Sequence, residues 1–181
     1  FIKARQYLNK MENASGGSAD YPDRDLKMES LGRVLTGQIP FRVHAHRADD
    51  IMTAVRIARE FNIKLVIEHC TEGYKIAEEL AKCGACAVIG PVIINRAKVE
   101  LKDISLKTAC VLADVGIDIA MMTDHPVVPV QYLAISAGLA ARGGLSDEKA
   151  LKIITIDAAR IIGLDERIGS LEPGKDADLA I

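Results

Sequence analysis

The sequence predicts an α/β protein with parallel strands, because short apolar segments alternate along the chain with amphipathic helical segments. Four such apolar segments are centred near residues 43, 66, 88 and 120. Their spacing of roughly 22 to 32 residues is close to the roughly 31 residues that each unit of a (β/α)8 TIM barrel occupies. Four units make about half of such a barrel. A doubly wound sheet is the competing architecture, but no glycine-rich phosphate loop follows any of the four segments.

The individual elements follow from apolar spacing and from the residues that end each segment. Apolar residues at helical spacing over 4–11 predict the end of an amphipathic helix, and ASGGSADYPD at 14–23 predicts a mobile loop. Pro40 bounds the first predicted strand. The further helices are predicted at 28–35, 48–61, 73–83, 105–115, 131–142, 146–156 and 157–163, and the strands at 41–45, 64–69, 86–90 and 117–123.

Composition excludes several classes of function. The 181 residues are 49% hydrophobic and 27% charged with a formal charge of −2, which is ordinary for a globular protein and gives no basis for a nucleic-acid partner. No apolar run approaches the ~18 residues that a membrane span needs, and no secretory leader opens the chain, so we expect no membrane contact and a cytoplasmic location. Phe1 begins inside a helical pattern and 178–181 ends inside a predicted strand, so we expect a piece of a longer protein.

The cysteines carry little functional information. Cys83 and Cys86 form a C-x-x-C pair, which is half a zinc site or a redox pair at most. The partner residues that zinc needs are missing nearby. Buried or helix-end thiols are therefore the favoured interpretation, and a thiol redox function is the alternative.

Three of the four predicted strands end in residues that bind metals. His44 and His46 end the first strand, His69 ends the second, and Asp124 with His125 follows the fourth. Side chains alternate along a strand, so His44 and His46 share one face. Chemistry in parallel α/β folds gathers outside the carboxyl ends of the strands, where residues distant in sequence converge. Imidazole and carboxylate ligands suit zinc, iron or manganese.

An ordinary interpretation stands beside each of these residues. A histidine at a strand end can be a hydrogen-bonded rim residue, and T-D-H-P also makes a good turn or helix cap. His46, Arg47 and His125 are candidates for substrate contact, and Arg47 suits a carboxylate. Glu68 is expected to point toward the helix layer, while Glu72 and Tyr74 are candidates for lining a pocket.

Four segments of the sequence resemble the metal-dependent amidohydrolase superfamily, in its imidazolonepropionase-like and prolidase-like branch. These are VHAHRADDI, IEHCTEG, MMTDHPV and the tail TIDAARIIGLDERIGSLEPGKDADLAI, and the resemblance runs from about residue 25 to the end. It implies barrel strands five to eight over 1–170 and the first strand of an accessory β-sandwich over 171–181. It also implies that His44, His69 and Asp124 hold a divalent metal ion. The strand-one H-x-H pair and the strand-four lysine or glutamate of the family are expected upstream of Phe1.

The resemblance implies a metal-dependent hydrolase of amide bonds, cyclic amides and N-acyl or dipeptide bonds included. The substrate is then a small-molecule amide, zinc is the expected metal with iron or manganese as alternatives, and Asp124 is the general base for a metal-activated water. This piece alone is expected to be inactive and to associate as a homo-oligomer, because half a barrel leaves two sheet edges open. The alternative is a non-catalytic relative that serves in binding or assembly.

Overall fold

A four-stranded parallel sheet forms the centre of the protein, whose computed structural model describes residues 1–14 and 21–179. The strands are β1 (Phe41–Ala45), β2 (Leu65–His69), β3 (Cys86–Ile89) and β4 (Ile119–Met121). They are hydrogen-bonded in the order β1-β2-β3-β4, and every pairing is parallel. The predicted α/β class with a parallel sheet is therefore confirmed, and β1 and β4 are the edges of the sheet.

Helices fill the connections and the flanks of the sheet. They are α1 (Ile2–Asn13), α2 (Leu26–Leu35), α3 (Ala48–Phe61), α4 (Ala77–Cys83), α5 (Thr108–Asp114), α6 (Leu133–Arg142), α7 (Asp147–Lys152) and α8 (Ile156–Ile162). The longest, α3, shows why they form: its buried residues Ile51, Ala54, Val55 and Ala58 recur at helical spacing and make one apolar face. Two aspartates lie in its first turn, where the helix dipole favours negative charge.

The main core lies between the sheet and the helices α3 to α7. Residues on alternate positions of the strands contribute to it, and Ile67, Ala87 and Ile119 lie side by side in the parallel register. Helix side chains pack on them, among them Val55 and Leu112, which are fully buried. This face of the sheet corresponds to the outside of a barrel.

The opposite face carries the other alternate residues and corresponds to the inside of a barrel. Val66, Val88 and Ala120 form a second apolar cluster there, and Ile161 of α8 packs on it. Glu68 also lies on this face, because it pairs with Arg42 at 2.5 Å and occupies the register position beside His44. The prediction that Glu68 points to the helix layer was therefore wrong.

Two predictions fall on chain segments that the structure describes only in part. Residues 15–20, within the predicted loop, and residues 180–181, at the end of the predicted sandwich strand, lie outside the described residues. Residues 171–179 form a turn and irregular chain without strand pairing. The sandwich strand and the boundary at residue 171 stay predictions. Among the described helices, none combines the length and the apolar character needed to cross a bilayer.

Candidate metal centre

Three imidazoles meet at the carboxyl ends of β1 and β2. His44, His46 and His69 each offer a nitrogen, and these nitrogens all lie within 4.8 Å of one another. His46 and His69 are buried, at 6% and 5% exposure, whereas His44 is exposed. Burial of His46 and His69 disfavours protonation of these two rings, and the neutral imidazole is the form that binds a metal.

A backbone carbonyl fixes which nitrogen of His69 is free. Nδ1 of His69 lies 2.7 Å from the carbonyl oxygen of Gly90 at the end of β3. A carbonyl can only accept, so Nδ1 carries the proton and donates it, and Nε2 keeps its lone pair. Metal-binding histidines commonly have this arrangement, in which one ring nitrogen donates to a carbonyl or carboxylate and the other faces the ion.

The lone pair of His69 faces His44. Nε2 of His69 lies 2.9 Å from Nδ1 of His44, which donates the hydrogen bond in this arrangement. The two rings cross at 68° with their centroids 4.2 Å apart. Two nitrogens bound to one zinc ion at 2.0–2.1 Å are about 3.3 Å apart at the tetrahedral angle. A small opening of this pair, with the ring proton of His44 moved from Nδ1 to its Nε2, thus gives the separation and the lone pairs that a shared ion requires.

His46 is oriented differently from the other two. Its ring stacks on the ring of His69 with centroids 4.4 Å apart and an interplanar angle of 23°. Its Nδ1 shares a hydrogen bond of 2.8 Å with Oγ1 of Thr71. Its Nε2 lies 3.7 Å from a carboxylate oxygen of Glu100, a half-buried residue in the segment after β3.

Backbone contacts join the ends of β1 and β2 around this cluster. The amide of Cys70 donates to the carbonyl of Ala45 at 3.1 Å, and the amide of Glu72 donates to the carbonyl of His46 at 2.8 Å.

The carboxylate of Glu72 accepts from the amide of Ala48 at the start of α3 and from Lys75, both at 2.9 Å. Glu72 is thus engaged in holding the loop after β2 to the start of α3.

The structure brings together only part of the predicted set. Asp124 follows β4, is exposed, and lies outside the group of nitrogens, although its charge tends to raise the pKa of His69. His125 is exposed next to it. Arg47 at the start of α3 is paired bidentately with Asp49 at 2.9 and 3.1 Å. The ligand role of Asp124 and the substrate roles of His46, Arg47 and His125 stay predictions.

Burial keeps the two enclosed imidazoles neutral. Desolvation is the main cause that lowers the pKa of His46 to about 4, and the neighbouring His69 lowers it further. The pKa of His69 is also lowered, again chiefly by burial, against the opposing effect of the Gly90 carbonyl. Both rings therefore stay available as lone-pair donors at pH values where an exposed histidine is already protonated.

Three residues that contact the histidines could not be predicted from the sequence. Thr71 follows His69 by two residues and Gly90 ends β3, but nothing in the sequence shows that the hydroxyl meets His46 or that the carbonyl meets His69. Glu100 stands in a segment without any motif, and only the path of the chain after β3 brings it near.

Parallel β/α units place the chain in the class of α/β barrel proteins, and the imidazoles gathered at the carboxyl ends of the strands could hold a metal ion. Comparison with known proteins specifies the family. The model of the amidohydrolase family matches residues 37–181, and the chain belongs to this family, whose members generally depend on a metal. The relatives support its imidazolonepropionase-like branch.

Individual relatives agree with this assignment. The chain is 33% identical over 146 residues to an imidazolonepropionase of Maricaulis maris, covering 79% of this chain and 35% of the relative. It is 25% identical over 172 residues to amidohydrolase tasK of Hapsidospora irregularis, covering 92% of this chain and 17% of the relative. The crystal structure of an amidohydrolase from Thermotoga maritima superposes with a TM-score of 0.92 at 49% identity, covering 98% of this chain and 46% of that one. The chain thus spans less than half the length of these relatives, and the fold is that of a partial TIM barrel.

Proposed function

We propose that the protein is a metal-dependent hydrolase that cleaves amide bonds in small molecules. His44 and His69 hold a divalent ion, for which zinc is our first choice and iron or manganese are the alternatives, and Asp124 is a further ligand. The observation that carries the proposal is the 2.9 Å approach of Nε2 of His69 to Nδ1 of His44, with the other nitrogen of His69 engaged by the Gly90 carbonyl. Membership of the amidohydrolase family supports it.

Each residue has a defined task in this proposal. When bound, a divalent ion supplies a Lewis acid that polarises a carbonyl and acidifies water. His69 is held by Gly90 so that its lone pair faces His44. Asp124, exposed beyond β4, accepts the proton from the attacking water and passes it to the leaving nitrogen as the general base.

Metal analysis by mass spectrometry tests the site. We expect the purified full-length protein to retain about one equivalent of ion after gel filtration, and its His69→Ala variant to lose it. Asp124→Asn is expected to retain less metal than the unaltered protein. His125→Ala is the matched control for metal content, because His125 is the histidine outside the cluster. Equal metal content in the unaltered protein, His69→Ala and Asp124→Asn would contradict the site.

A substrate panel tests the chemistry. Imidazolonepropionate comes first because relatives are named for it, and N-acyl amino acids, Xaa-Pro dipeptides and cyclic imides follow. Turnover that disappears in Asp124→Asn supports the hydrolase. Metal uptake without turnover in a protein that includes all barrel strands supports the binding role instead.

The described chain alone is proposed to bind metal weakly and to turn over little, since relatives are more than twice its length. The edges formed by β1 and β4 also favour association of copies. Sedimentation of this chain as a well-behaved monomer would contradict the proposed association.

A further inference from the structure

The imidazole of His46 stacks on the ring face of His69, which is a proposed metal ligand. His46 is buried to 6% exposure and its ring lies over the ring of His69, 4.4 Å between centroids and 23° from parallel. The proposed ligand pair is arranged the other way, with rings crossed at 68° and nitrogens facing each other. The three rings therefore play two different geometric roles.

A stacked ring is badly placed to share the ion of its neighbour. An imidazole binds a metal through a lone pair that lies in the ring plane. The planes of His46 and His69 are nearly parallel and lie one above the other, so their lone pairs do not converge on one point. The nitrogens lie within 4.8 Å of one another, but their lone pairs still point in different directions. The free Nε2 of His46 lies near Glu100 instead.

His46 is itself held firmly. Nδ1 of its ring and Oγ1 of Thr71, which is 5% exposed, are 2.8 Å apart. The carbonyl of His46 accepts from the amide of Glu72, so its backbone is tied to the same loop. A buried ring with both its backbone and one nitrogen engaged is a rigid surface.

We propose that His46 is a positioning residue for His69, and that Thr71 fixes His46 for this task. Nδ1 of His69 is held by the Gly90 carbonyl and Nε2 by His44, and these two contacts leave the ring free to rock about the line that joins its nitrogens. The stacked ring of His46 removes that motion, so that Nε2 stays directed at the proposed ion. This inference rests on the proposed function, because it assigns a role around the same metal site.

Two double variants, both made in the full-length protein, separate stacking from ligation. H46F with T71V keeps a flat ring at residue 46 and removes the hydroxyl that would otherwise lose its partner. H46A with T71V removes the ring as well. We expect H46F/T71V to bind Co²⁺ within about threefold of the unaltered protein, and H46A/T71V to lose about 10- to 100-fold, the range typical when partners of metal ligands are removed. Affinity is measured by competition with a chromogenic chelator.

The absorption spectrum of bound Co²⁺ gives a second readout, because its visible bands depend on the number and type of ligands. We expect the same spectrum in H46F/T71V as in the unaltered protein. T155V is the matched control for the threonine change, since the exposed Thr155 hydroxyl also takes part in a hydrogen bond, which it donates to the carbonyl of Leu151 at 2.8 Å.

The possible results distinguish the proposals from each other. Equal loss of affinity in both double variants, or a changed Co²⁺ spectrum in H46F/T71V, identifies His46 as a ligand and overturns the positioning role. Full affinity in H46A/T71V overturns it as well. Absence of Co²⁺ binding by the unaltered full-length protein contradicts the metal site itself.

Discussion

Replacing Gly90 by alanine tests how the fold supports the site. Gly90 ends β3, has a φ of +136°, and its carbonyl accepts the hydrogen bond from His69. An added Cβ would lie 2.0 Å from the carbonyl oxygen of Met122. That backbone has little room to withdraw, because the amide of Met122 donates to the carbonyl of Ile89 at 2.8 Å.

The expected cost follows from these contacts. A non-glycine residue in this backbone region costs on the order of 1–3 kcal/mol, and forcing an atom into a filled site adds about 1–3 kcal/mol. We therefore expect Gly90→Ala to lower the free energy of unfolding by about 4 kcal/mol, the centre of the summed range. For a chain of this length that corresponds to a fall of roughly 8–16 °C in Tm. The displaced carbonyl should also weaken metal binding by about 10- to 100-fold through His69.

Thermal unfolding and chelator competition measure the two effects, and Gly84→Ala is the control. Gly84 also has a positive φ, +63°, but an added Cβ meets no atom within 4 Å. Only the left-handed backbone then opposes the alanine, at about 1–2 kcal/mol, and metal affinity should not change. If Gly90→Ala melts like Gly84→Ala and binds metal like the unaltered protein, the reasoning about Gly90 is refuted.

Three further predictions concern stability, reactivity and pH. Gly138→Ala in α6 should raise the stability by about 0.5–1 kcal/mol, since an added Cβ meets nothing there; a lower Tm would contradict this. Burial raises the pKa of Cys70 to about 12, so peptide mapping after iodoacetamide treatment at pH 8 should find Cys70 unlabelled until the protein unfolds. The metal-free protein should lose stability as the pH falls from about 6.5, where histidines of the unfolded chain take up protons, toward 4, the pKa to which burial lowers His46. The fall in Tm between pH 7.5 and 5 should be smaller in H46F/T71V, and an equal fall would show that His46 does not contribute.

Much of the fold could be predicted because short stretches of sequence are enough to identify most helices and strands. The bounds of β1 and α3 agree with apolar periodicity and with Pro40 as a stop, and no tertiary contact is needed to recognise either element. The predicted shared face of His44 and His46 likewise follows from alternation alone, and the two rings do lie 4.8 Å apart. Loop paths were not predictable, because the approach of Glu100 depends on how the whole segment after β3 packs.

The wrong prediction for Glu68 shows the limit of the alternation rule for strand side chains. In the parallel register His69 lies beside Ala45 and Ile89, on the face toward the helices. Alternation from a His69 directed at the metal site predicts Glu68 on the helix side, but Glu68 lies on the opposite face, beside His44. Side chains alternate between the two faces from Leu65 to Glu68. His69 should then point to the helix side, but its ring does not.

Backbone strain explains that departure. His69 and Cys70 both have left-handed φ values, +70° and +47°, which non-glycine residues rarely adopt and which cost on the order of 1–2 kcal/mol each. The chain thereby turns sharply at the end of β2, and the ring that would enter the helix layer reaches Gly90 and His44 instead. The bond from the amide of Cys70 to the carbonyl of Ala45 holds the turn in place. Strain of this kind persists only where surrounding contacts enforce it, so the same contacts that hold the turn also determine where the lone pair of His69 points.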